Sequence, residues 1–246
     1  MAAYATAKIL YISIGFWFIL SADSYNEFSN HALTVRPGGS VTIPCHYNEQ
    51  YAQLKKHCYL ETDKYTNTRE KNLLVIDHPD QSLFTVNMRN LRENQSGLYF
   101  CVVETGETGT VIYQFYLKVQ YVPAVSVMSS SVSGHEGDTV SVQCFYSSGY
   151  KNEQKRWCRY KDQKCFIKKT NTSQSSSVQI SDDGENSFTV LMTGLRLSDS
   201  GWYFCSVGNQ MIPVQLTVTE AESVSVNTDT GTQKDKSFRR FCLSHS

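Results

Sequence analysis

Ser96-Gly97-Leu98-Tyr99-Phe100-Cys101 is answered about a hundred residues later by Ser200-Gly201-Trp202-Tyr203-Phe204-Cys205. Working outward from this pair, Val41-Thr42-Ile43-Pro44-Cys45 matches Val140-Ser141-Val142-Gln143-Cys144, and Phe84-Thr85-Val86 matches Phe188-Thr189-Val190. The offset is 99 at the first cysteine and 104 at the last, so two copies of one unit differ by a few loop residues. A period this long is wrong for a solenoid and right for tandem domains. Val41, Ile43 and Cys45 alternate with polar neighbours, as do Phe84, Val86 and Met88, and the second copy repeats both patterns. Such short period-two runs, bounded by Gly, Ser, Asn and Asp, read as half-buried antiparallel strands. The fold class is all-β, two tandem sandwiches.

The whole chain agrees with that size. Its 246 residues suit two small domains, and 40% apolar with 19% charged residues is a globular balance. Lys plus Arg equal Asp plus Glu at 23 each, which argues against the basic field of a nucleic-acid binder. Lys8 precedes a twelve-residue apolar run, Ile9 to Leu20, followed by small residues at Ala22 and Ser24. That run is short for a membrane span and fits a signal peptide over residues 1–24. The expected units are then 25–120, 121–220, and a polar, basic tail over 221–246 that cannot bury a core. No second apolar stretch is long enough to span a bilayer, so an extracellular, secreted chain is expected. In that compartment eight cysteines read as a disulfide framework.

At the cysteines the chain resembles a known family. A second Cys 56 or 61 residues after the first, with Gly-x-Tyr-x-Cys around it, is similar to immunoglobulin variable-type domains. Tyr99 and Tyr203 hold the tyrosine-corner position, and Trp157 stands on the expected third strand. Lys155-Arg156-Trp157-Cys158 followed by Cys165 narrows the resemblance to the polymeric immunoglobulin receptor-like group of leukocyte receptors. The resemblance implies bridges Cys45–Cys101 and Cys144–Cys205 and a short second bridge Cys158–Cys165. It also implies an immune recognition ectodomain at the external side of the plasma membrane, binding immunoglobulin, phospholipid headgroups or a surface protein through its loops. Copy one departs from the pattern. Reading Lys56-His57-Cys58 against the motif puts His in the Trp place and leaves Cys58 without its partner. Gln95 stands where copy two has Asp199, and the Asn171–Ile180 approach to copy two's fourth strand shows no Arg to pair with that Asp.

Function in this fold sits in loops at one end of the sandwich. Copy one offers Tyr51 and Gln53 after its first Cys strand, and Glu104 and Glu107 in a Gly-rich loop suited to a cation or a basic partner. The bland reading of that loop is a solvated hairpin. Copy two concentrates Lys151, Lys155, Arg156, Arg159, Lys161, Lys164, Lys168 and Lys169 against Glu153 and Asp162. On strands this makes a positive face for an anionic lipid or sulfated glycan, or an edge kept from aggregating by its lysines. Cys58 and Cys242 are left over, as a buried thiol and a tail thiol or as partners of each other or of a second chain. Asn94 and Asn171 lie in glycosylation sequons. No nucleophile, zinc or phosphate-loop motif is present, so neither enzyme activity nor a metal or cofactor is expected. Two readings compete with the receptor ectodomain: a soluble lectin using the basic patch, and a homophilic adhesion module. The short Gln120–Ala124 connection, stiffened by Pro123, predicts a bent, semi-rigid rod.

Overall fold

The computed structural model describes residues 32–63, 73–107, 109–167 and 177–221. The expected signal segment, the tail with Cys242, Asn171, Lys168 and Lys169 lie outside the described residues. The first repeat forms β1 (Ala32–Val35), β2 (Val41–His46), β3 (Lys56–Leu60), β4 (Leu73–His78), β5 (Leu83–Met88), β6 (Gly97–Val103) and β7 (Thr110–Val119). Among the described residues β2, β5 and β4 make one sheet, and β1, β7, β6 and β3 line up in the facing one. Register follows the alternation: Val41, Ile43 and Cys45 stand opposite Met88, Val86 and Phe84, and all six are buried. A one-residue slip would turn this whole set to solvent, so burial fixes the pairing.

The second repeat has the same plan. Its β8 (Val125–Val127), β10 (Thr139–Tyr146), β13 (Val178–Asp182) and β14 (Ser187–Thr193) make one sheet. Facing it are β9 (Ser131–His135), β11 (Lys155–Arg159), β12 (Cys165–Ile167), β15 (Gly201–Val207) and β16 (Gln210–Thr219). Cys45–Cys101 and Cys144–Cys205 bridge the layers, and Cys158–Cys165 ties β11 to β12 across a separation of 7 residues. By loop-closure entropy the long bridges stabilise by roughly 4 kcal/mol each and the short one by roughly 2–3. Both tyrosine corners form, Tyr99 donating to the Gln95 carbonyl and Tyr203 to the Asp199 carbonyl, each at 2.8 Å.

Two sequence expectations need correction. In β3 it is Cys58, not His57, that stands opposite Cys101, as Trp157 stands opposite Cys205. Cys58 therefore occupies the tryptophan's place, and Tyr59 matches Cys158. Gln95, which departs from Asp199, still gives the Arg92 backbone N–H an acceptor at 2.9 Å, the same cap that Asp199 gives Arg196. The domains do not form a rod. β1 pairs in parallel with β7 and also, at Ala32 and Leu33, with Gln210 and Met211 of β16, so the two facing sheets run on as one. Gln120 N–H donates to the Val35 carbonyl at 2.9 Å, and the Thr34 hydroxyl donates to the Val125 carbonyl at 3.3 Å. These bonds fold the linker back and pack the domains side by side.

Candidate functional site

The strand ends nearest the loop after the first Cys are organised by a buried lysine in each domain. Lys56 opens β3 with its side chain 3% exposed, lies 4.5 Å from the Tyr47 ring, and pairs with Asp77 at 2.8 Å. Its ammonium also donates to the Ala52 carbonyl, pinning the turn that follows the Glu49–Tyr51 3-10 helix. In the second domain Lys155 lies 4.3 Å from the Tyr146 ring, pairs with Asp182 at 3.3 Å, and donates to the Lys151 carbonyl. Burial alone would raise the Asp182 pKa. The Gly184 N–H, the Tyr146 hydroxyl and Lys155 outweigh it and hold the carboxyl below its ordinary value. Burial and the bond to Asp77 push the Tyr47 phenol well up. These two clusters were missed from sequence, although Tyr47, Lys56 and Asp77 recur as Tyr146, Lys155 and Asp182 in the repeat.

The loop between the last two strands separates the copies. In the second domain β15 turns into β16 through Gly208 and Asn209 alone, with Gly208 at φ 56°, a left-handed corner that suits glycine. In the first domain Glu104 to Gly109 intervene between β6 and β7. The Thr105 and Thr110 hydroxyls meet at the neck, 2.5 Å apart. Glu104 Oε1 lies 2.9 Å from Lys55 Nζ and 3.5 Å from His57 Nδ1, and the Glu104 N–H donates to the Lys55 carbonyl. The Lys55 hydrogen bond holds the Glu104 carboxyl below its ordinary range, while burial pushes the His57 pKa down. Glu104 is thus an ionised carboxylate paired at the surface with Lys55, and Glu107 is exposed in the same loop. Among the described residues no three His, Cys, Asp or Glu side chains are grouped to hold a metal.

The remaining candidates divide between exposed and committed positions. Gln53 is exposed, whereas Tyr51 is half-buried and packs against the core. The expected basic face of copy two is broken up. Lys155 is buried in its cluster, which removes it from any ligand surface. Arg156 donates to the Ser206 hydroxyl and the Gly208 carbonyl, and Arg159 to the Ser198 carbonyl. Lys164 lies 5.3 Å from the Phe166 ring, and Lys151 and Lys161 are exposed. Asn94 is exposed on the Glu93–Gln95 turn. Cys58 carries no disulfide, and burial raises its thiol pKa far above the ordinary value.

Paired sheets, inter-sheet bridges and tyrosine corners define a pair of immunoglobulin-type domains. The immunoglobulin V-set domain profile matches residues 28–120 and 127–222, and the chain belongs to that family, which is not enzymatic. It is 25% identical to the rat polymeric immunoglobulin receptor over 186 residues, covering 69% of this chain and 24% of the receptor. It is 34% identical to human CMRF35-like molecule 1 over 131 residues, covering 47% of this chain and 45% of that one. The crystal structure of a teleost fish polymeric immunoglobulin receptor ectodomain is 36% identical, with 78% of this chain and 97% of that one covered and a TM-score of 0.40. The chain spans about a quarter of the length of the polymeric immunoglobulin receptors it matches. Among the described residues no helix is long and apolar enough to cross a membrane.

Proposed function

We propose that the chain is an immune recognition ectodomain that binds a protein ligand, polymeric immunoglobulin, through the loop end of its first domain. The observation that carries this is the six-residue loop from Glu104 to Gly109, closed by the Thr105–Thr110 contact and tied through Glu104 to Lys55 at the start of β3. The second domain has only a two-residue turn at the same place, so a recognition loop is built in one copy alone. The names of the receptors it resembles favour immunoglobulin as the ligand, and a rigid scaffold presenting an adaptable loop is how this fold recognises proteins. The external face of the cell, or the space outside it, is where such a ligand is met. Surface plasmon resonance of the mature chain on polymeric and monomeric immunoglobulin tests this. Binding lost when Glu104–Gly109 is replaced by Gly-Asn supports it. Unchanged binding, or none by the wild type, overturns it.

A further inference from the structure

A cleft of about 820 Å³ lies between the outer face of the β2–β5–β4 sheet and the outer face of the second domain's larger sheet. That volume is in the range of small-molecule sites, and domain interfaces are a common place for them. Its two walls differ in chemistry. On the first-domain wall a chain of hydrogen bonds crosses the three strands: the Thr42 hydroxyl donates to Asn87 Oδ1 at 2.7 Å, Asn87 Nδ2 to the Thr85 hydroxyl at 3.4 Å, and His78 Nε2 lies 3.2 Å from that same hydroxyl. On the second-domain wall the buried Trp202 and Pro213 border the lining beside the exposed Gln215 amide. Arg36 stands on the lining, together with Ser40, Ser126, Ser130 and Ser131, and among the described residues no Asp or Glu lines the cleft.

We propose that this cleft binds an acidic saccharide, a pyranose unit bearing a carboxylate or sulfate. A sugar ring has a rim of hydroxyls and flat C–H faces. The hydroxyl and amide wall can exchange hydrogen bonds with the rim, since each of its groups keeps further donor or acceptor capacity after its internal bond. The C–H face can pack against the exposed Ile76 and Met128 side chains on the lining, where apolar contact excludes water. Arg36 makes a charge-assisted bond to the acid group, and none of the described lining residues carries a carboxylate to repel it. A purely apolar ligand would leave the remaining donor and acceptor capacity of the Thr42–Asn87–Thr85 face unmet, a desolvation cost that a polyol avoids. The site is separate from the Glu104–Gly109 loop and is independent of the immunoglobulin reading.

The full chain is titrated with 3′-sialyllactose, a sulfated disaccharide and neutral lactose, using saturation-transfer NMR and amide shift mapping. The expected result is binding of an acidic sugar about tenfold tighter than lactose, with Arg36→Gln erasing that preference. Asn87→Leu is expected to remove binding of all three sugars. Because that variant changes a sheet face, Ser130→Phe at the exposed rim serves as a second block that leaves the sheets alone. The variant shortened at Glu104–Gly109 keeps sugar binding, so this test and the immunoglobulin test fail separately. Comparing a sialylated glycoprotein with its desialylated form tells a protein-borne glycan from a free sugar. No transfer to any acidic sugar, or equal affinity for Arg36→Gln and wild type, overturns the proposal.

Discussion

Opposite Cys205 the second domain carries Trp157, whose ring stacks on Tyr203 with centroids 5.0 Å apart. Opposite Cys101 the first domain carries only Cys58, yet Tyr99 still has a stacked neighbour, Phe115 at 5.3 Å. Phe115 stands opposite Tyr99 in β7, where the second domain has Val214 opposite Tyr203. The corner tyrosine is therefore packed from the β3 flank in one design and from the β7 flank in the other. Phe115→Val alone is expected to destabilise the first domain by about 2–3 kcal/mol through the cavity it leaves. Cys58→Trp alone overpacks and costs about 1–3 kcal/mol. The double variant is expected to recover more than 1 kcal/mol of the summed loss in urea denaturation, a coupling that independent sites do not show. The Cys58 thiol is also expected to resist iodoacetamide until the domain unfolds, since burial suppresses its thiolate. The two inter-sheet pairings were legible because cysteines recur at matched positions in both copies and the family resemblance implies the bridges, whereas the short bridge of copy two rested on the resemblance alone. The placing of Cys58 was not, because one Cys in Lys-His-Cys-Tyr aligns equally well with Trp157 or Cys158 until the strand register decides.

Among the elements, β3 and β11 do more than span the sheet, because the lysine at the start of each ties a loop to its own sandwich. Lys155 and Asp182 are 5% and 16% exposed at their side chains, against 3% and 36% for Lys56 and Asp77. Removing one partner of a buried pair leaves the other uncompensated, whereas a more exposed carboxylate is rescued by water. Lys155→Met is thus expected to cost the second domain about 3 kcal/mol, and Lys56→Met clearly less in the first. The Asp182 carboxyl is held below its ordinary 3.8 in the fold, so the unfolded chain takes up its proton first as pH falls. That stability is present above pH 3.8 and is lost as pH drops through the folded value, and Asp182→Asn is expected to flatten this part of the acid-unfolding curve. Strand existence and type were legible because alternation is a local signal. The loss of Lys155 from the basic patch was not, because which lysine folds inward depends on Asp182 arriving from a strand far along the chain.

At the scale of the whole molecule the sequence showed two domains and a short linker, but not how they sit. Docking depends on β1 offering one edge to β7 and to the start of β16, a pairing with no local pattern to announce it. The contact it creates buries His46 of the first domain against Tyr160 of the second at 4.8 Å, with Tyr113 at 5.7 Å from the same Tyr160 ring. Burial, opposed by a hydrogen bond with the Ser82 backbone and joined by the nearby Lys161 charge, holds the His46 pKa below its ordinary 6.5. Burial also keeps the Tyr113 and Tyr160 phenols un-ionised, so no anion faces the imidazole from that side. With the domains apart, His46 regains solvent and binds a proton more readily. The docking free energy is therefore complete above pH 6.5 and falls as pH drops from there through the docked value. Small-angle scattering is expected to show a larger radius of gyration at about pH 5.5 than at about pH 7.5. His46→Phe, which keeps the ring contact and removes the proton site, is expected to stay compact at both. A wild-type radius that does not change with pH would place the strength of the docking in the β1–β16 pairing alone, with no share for the imidazole.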